Sequence, residues 1–225
     1  LHLHGGGTAT TGVAQGWGTT HITIENTVIE HFVIGMNLGL GTRHFTLRNS
    51  TIRNNVQHGV LGAGNDWLIE GNTFEGNGDA RAPGTHAFYF SAHTSEGANE
   101  RLTVRNNVFR NNSLSSGVCR SGNLTVHGGV TGAVIENNSI EATDYYWGCR
   151  GISLTAGYDG AEFMRQFVVR GNRLFHVGSG VAFSAAPGIV VEDNTIWSLN
   201  TALAGMTMIE TAHNNSGGAD DDDAV

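Results

Sequence analysis

Seven stretches of the chain alternate apolar and polar residues and then break off in the same way. They are ITIENTVI (22–29), FTLRNSTI (45–52), WLIEGNTF (67–74), LTVRNNVF (102–109), AVIENNSI (133–140), FVVRGNRL (167–174) and IVVEDNTI (189–196). Their common form is apolar-x-apolar-[Glu/Arg]-x-[mostly Asn]-x-apolar. Alternation with period two predicts a strand in the first half of each stretch. The Asn that follows predicts a turn, because Asn tolerates the left-handed backbone.

The closing apolar residue falls at Ile29, Ile52, Phe74, Phe109, Ile140, Leu174 and Ile196, in steps of 23, 22, 35, 31, 34 and 22 residues. Self-similarity at such a period predicts a solenoid in which each repeat is one coil. The three long middle steps then carry insertions, which in solenoids form loops. Asn72, Asn107, Asn138, Asn172 and Asn194 occupy equivalent places. Stacked at about 4.8 Å, their amides are expected to hydrogen-bond along the column as an Asn ladder.

A further strand is expected about eight residues after each closing apolar position. The candidates are GMNLG (35–39), GVLG (59–62), AFYFS (87–91), GVCRS (117–121), GISLT (151–155), GVAFS (180–184) and ALAG (202–205). In this register Met36, Val60, Phe88, Val118, Ile152, Val181 and Leu203 point inward. Asn37, Leu61, Tyr89, Cys119, Ser153, Ala182 and Ala204 point outward, and His58, His86, Ser116, Arg150 and Ser179 join them two residues earlier. The opening LHLH reads as one more copy, with residues 5–18 as its loop.

This repeat resembles the right-handed parallel β-helix of the pectate-lyase-like superfamily over nearly the whole chain. The expected fold is therefore all-β: a single-domain right-handed parallel β-helix of about seven to eight coils. It spans residues 1–213, starting in mid-coil, and residues 214–225 form an acidic tail or linker. That superfamily hosts lyases, hydrolases, epimerases and adhesins, so the fold alone does not choose an activity.

The insertions flank the outward strand: residues 75–85 and 141–149 before it, and 92–101, 122–132 and 156–166 after it. They predict a trough with a flat floor, suited to an extended polysaccharide. His58, His86, Tyr89 and Arg150 are the catalytic candidates on that floor. Tyr145, Tyr146 and Trp147 on one wall are candidates for stacking on sugar faces, with Asp144 among the wall carboxylates Asp79, Glu96, Glu141, Asp159 and Glu162. His93 and His127 are placed on the opposite wall. Arg120 falls at an inward position, unfavourable for a charge, so it either reaches the trough or marks a slip of register.

Read with the resemblance, these groups imply a polysaccharide lyase acting on a uronate polymer. An arginine such as Arg150 neutralises the uronate carboxylate, and His86 and Tyr89 serve as base and acid in β-elimination. The Asp-Pro-His motif of alginate epimerases is missing, which favours a lyase, and the missing lysine departs from the pectate-lyase pattern. The alternatives are a glycoside hydrolase using loop carboxylates about 5–9 Å apart and a non-catalytic carbohydrate-binding or structural module. The expected location is secreted, cell-surface or periplasmic, of bacterial type, and the mid-coil start and acidic tail predict a place in a longer multidomain chain.

Composition narrows this further. The formal charge is −8, all 12 basic residues are arginine, and no basic stripe exists, which argues against nucleic acid. No apolar run is long enough for a membrane. Cys119 and Cys149 fit no zinc or redox spacing; they are either one disulfide of a secreted protein or two small buried thiols. The sequence requires no cofactor and leaves calcium open, although the Asp220–Asp223 run lacks EF-hand spacing.

Overall fold

A computed structural model describes residues 1–78, 84–93, 97–115, 118–119, 121–142, 149–156 and 162–197, and the backbone of 207–212. No helix occurs among them. The strands form an eight-stranded sheet and a fifteen-stranded sheet, parallel at every pairing. A short antiparallel hairpin, Leu114–Ser115 with Val118–Cys119, stands apart from both.

Each repeated stretch contributes one strand to each large sheet, and the turn between them lies inside the motif. Ile29, Ile52, Phe74, Phe109, Ile140, Leu174 and Ile196 pair in one unbroken column of the eight-stranded sheet. The left-handed residue of the turn is Asn26, Asn49, Gly71, Asn106, Asn137, Gly171 or Asp193. This corrects the expected turn by one position: the left-handed residue precedes the ladder Asn.

The ladder Asn is free to do something else. Asn138 donates from Nδ2, and from its backbone N, to Asn172 Oδ1 at 3.0 Å, while its own Oδ1 accepts both groups of Asn107. The same pattern runs from Asn72 to Asn194. Ser50 and Thr27 continue the column through backbone N–H donation. A second ladder, Asn55–Asn77–Asn112, stands at the next corner. Both bury amides that are satisfied within their own column, which removes the cost of burying them.

The charged position of the motif alternates in sign from coil to coil: Glu25, Arg48, Glu70, Arg105, Glu136, Arg170, Glu192. Arg48, Arg105 and Arg170 donate to Glu25, Glu70 and Glu136 at 2.6–2.9 Å. Inside, the core is apolar and aromatic, with Phe74 stacked on Phe109 and Trp67 between Phe45 and Phe90.

The remaining strand column departs from the expected register in three places. Val13, Met36, Val60, Phe88, Leu124, Ile152, Val181 and Ile209 pair in sequence. The strand after Phe88 is therefore Gly122–Gly128 and not residues 117–121, so Val118 and Cys119 leave the column; Cys119 is buried in a disulfide with Cys149. The first member is Thr11–Gln15, while His2–His4 pairs with Val28–Glu30 in the other sheet. The last is Thr207–Ala212; Leu203 and Ala204 lie outside the described residues. Glu141 also moves, from the expected wall to the eight-stranded sheet opposite Arg110.

Candidate functional site

The floor strands carry two adjacent core residues at their corner, which decides where the histidines go. Ala87 and Phe88 are both fully buried, as are Gly59 and Val60. A Cβ on Gly59 would lie 2.4 Å from the Ala87 carbonyl oxygen, so the coils approach too closely for a larger residue there. With two consecutive positions turned to the core, alternation restarts, and His58 and His86 fall on the side shared with Tyr89.

That side is less open than the sequence implies. Asn37 is exposed and Leu61 and Tyr89 are half-buried, but Thr125, Ser153 and Ala182 are buried. His86 is only 9% exposed, which corrects its expected place on an exposed face. Its Nδ1 lies 2.8 Å from the Gly122 carbonyl and 3.0 Å from Thr125 Oγ1. The carbonyl can only accept, so Nδ1 carries the proton and Nε2 keeps its lone pair. Burial pushes the imidazole down to about 4.

His58 has the opposite tautomer. Its Nδ1 accepts the backbone N–H of His86 at 3.2 Å, which leaves its proton on Nε2. Burial pushes this ring down to about 4 as well. The two imidazoles stack with centroids 5.7 Å apart, and the Tyr89 ring lies 5.5 Å from His58 and 4.6 Å from His86.

Tyr89 is bonded to His127. Its Oη stands 2.8 Å from His127 Nδ1. Thr125 is the residue directly opposite Tyr89, so this is a diagonal contact, which a long aromatic side chain can reach. His127 thus belongs to the floor strand Gly122–Gly128 and not to a wall. Burial lowers its pKa, the charge of fully buried Glu162 opposes the shift, and His93 adds to it. Tyr89, His127 and Glu162 are consequently electrostatically linked.

Arg150 shares the column of His58 and His86, separated from His86 by Gly122. His93 lines a cleft of about 260 Å³ with Trp17, Asn37, Leu61 and Ser91. Trp17 was not singled out from the sequence, yet it is 78% exposed at the edge of this cleft; its setting in Gly16-Trp17-Gly18 is the signal that marks it. Arg120, Asp144, Tyr145, Tyr146 and Trp147 lie outside the described residues, as do Asp79, Glu96 and Asp159, Ser116 and the acidic tail.

The arrangement offers a phenol paired with an imidazole, two neutral imidazoles of fixed and opposite tautomer, and an open cleft beside them. Such groups move protons and donate hydrogen bonds to oxygens. No curated protein and no solved structure matches the chain. A family model described as the right handed beta helix region matches residues 10–163, and the chain belongs to that family.

Proposed function

We propose that the protein is a polysaccharide lyase that cleaves a uronate-containing polymer by β-elimination on the outer face of the floor. The observation that carries this reading is the 2.8 Å bond between Tyr89 Oη and His127 Nδ1, beside His58 and His86. As Tyr89 passes its own proton to His127, its Oη takes the proton from C5 of a uronate. The electron pair forms the C4–C5 double bond and the C4–O4 bond breaks. Tyr89 then gives the proton to O4, so one group serves both ends and the His127 proton is conserved. The Nε2–H of neutral His58 and the Arg150 guanidinium are the groups assigned to the uronate carboxylate, whose neutralisation makes the C5 proton removable.

Three features support the polymer and its setting. The cleft between Trp17 and His93 continues the floor across several coils, as a chain of sugars needs. Trp17 presents a broad apolar ring of the kind that stacks on sugar faces. The Cys119–Cys149 disulfide fits an oxidising, extracytoplasmic compartment. Incubation with a panel of polyuronides tests the reading: the ultraviolet absorbance of the unsaturated uronate should rise. Reducing ends without that absorbance would mean a hydrolase, and retention on a substrate gel without turnover a binding module.

A further inference from the structure

A cluster distant in kind from the floor stands where the first two strands of the eight-stranded sheet meet. The strand His2–His4 pairs with Val28–Glu30, setting His2 opposite Val28 and His4 opposite Glu30. His31 follows at the left-handed corner, with φ 59°. Ligand-type atoms of His4, Glu30 and His31 all lie within 4.8 Å of one another. The rings of His4 and His31 are 4.8 Å apart, and His2 Nε2 is 2.7 Å from Glu30 Oε1. Three imidazoles and one carboxylate therefore converge from two adjacent strands.

We propose that His4, Glu30 and His31, with His2 beside them, form a binding site for a borderline transition-metal ion such as Zn²⁺. Imidazole and carboxylate are the nitrogen and oxygen donors such an ion takes in a tetrahedral shell. Ligand bonds of about 2.0–2.1 Å put tetrahedral donors about 3.3 Å apart, so the present cluster closes by roughly 1.5 Å on binding. His4 is exposed and supplies that movement through its rotamer, releasing the single bond its Nδ1 accepts from Gly6 N. Glu30 is held in place as a ligand: the Arg53 guanidinium donates to Oε2, and His2 Nε2 stands at Oε1. On binding, Oε1 passes from His2 to the metal and His2 becomes the fourth donor. Arg53 remains behind the carboxylate and orients it, as partners behind metal ligands do. The site ties one strand of the sheet to the next, so occupancy also stabilises that pairing.

The test is titration of the full chain with ZnCl2, read by calorimetry and by melting temperature. One tight zinc equivalent and a raised melting temperature are expected, with no such response to MgCl2 or CaCl2, which prefer all-oxygen shells. His4→Ala and His31→Asn should each weaken zinc binding by about tenfold or more; Asn is chosen at 31 because it tolerates the left-handed corner. His44→Ala, away from the cluster, should bind as the parent does. Zinc affinity unchanged in His4→Ala, whose side chain is exposed and whose folding is not at stake, overturns the proposal. So does the absence of a zinc response in the parent chain.

Discussion

The backbone N–H of His86 donates to Nδ1 of His58 across 3.2 Å, so the strand that carries one floor imidazole fixes the tautomer of the other. Both rings are pushed down to about 4 by burial, whereas an unfolded histidine titrates near about 6.5. The folded state thus favours the neutral form. Between those values the unfolded chain binds more protons, so stability is full above about pH 6.5 and falls as the pH drops toward about 4. Each ring contributes a loss of order 3 kcal/mol at most, and the stacked pair is not strictly additive. Urea denaturation at about pH 7 and about pH 4.5 measures the change. His86→Gln should shrink it; an equal loss in parent and variant would show that His86 is not the titrating group.

The Asn column makes a second claim. Asn138→Leu removes the acceptor of Asn107 and the donor to Asn172 in mid-stack. Leaving buried amides unpaired costs about 1–3 kcal/mol. Asn194 is only partly covered and receives from one side, so Asn194→Leu should cost less. Equal melting temperatures for the two variants would count against a stacked, cooperative column.

How far the sequence reaches differs between these elements. The main ladder and its stacked apolar column were legible because one motif repeats the apolar position seven times and the ladder Asn five times. The second ladder was not, because Asn55, Asn77 and Asn112 recur outside the motif and each reads as an ordinary turn residue. Of the three departures of the floor register, the one in mid-column has a definable reason. GVCRS imitates GVAFS in composition, and the true strand, which includes NLTVH, begins farther along, past the hairpin at Leu114–Cys119. That slip hid the contact between Tyr89 and His127. The burial of His86 was equally illegible, since it arises from the Gly122 carbonyl and Thr125 of the next coil.

The alternating charge column carries a prediction about salt. Arg105 lies between Glu70 and Glu136, so Arg105→Glu puts three like charges in a row. Exposed pairs are worth about 0.2–1 kcal/mol each, and replacing attraction by repulsion should cost roughly 1–2 kcal/mol at low salt. Added salt should recover much of it, since the groups are partly exposed. A loss that salt leaves unchanged would mean that Arg105 matters for packing along its stem instead.

The disulfide joins residues 30 positions apart. A loop of that size should contribute roughly 3–4 kcal/mol by restricting the unfolded chain. The double variant Cys119→Ser, Cys149→Ser should lose that stability in denaturant titration. It should also reduce activity, because Cys149 directly precedes Arg150 and Cys119 lies shortly before Gly122, whose carbonyl holds His86. Unchanged denaturation in the double variant would show that the coil is held by its ladders alone.

The sharpest test concerns Tyr89 and His127. Tyr89→Phe deletes one hydroxyl and leaves the ring against His58 and His86, so the coil should fold as before. His127→Gln keeps a polar group of similar reach but cannot store the phenol proton. If Tyr89 transfers the proton and His127 holds its counterpart, each change should lower turnover by about 100-fold or more, as loss of a general acid or base does. The double variant should be scarcely worse than the poorer single one, because groups that act as a unit are not additive. Melting temperature measured alongside separates this from unfolding. Multiplicative losses would mean that the two groups act in different steps. Full activity in Tyr89→Phe would remove the phenol from the chemistry and leave His86 Nε2, the remaining lone pair of defined tautomer, as the base to test next.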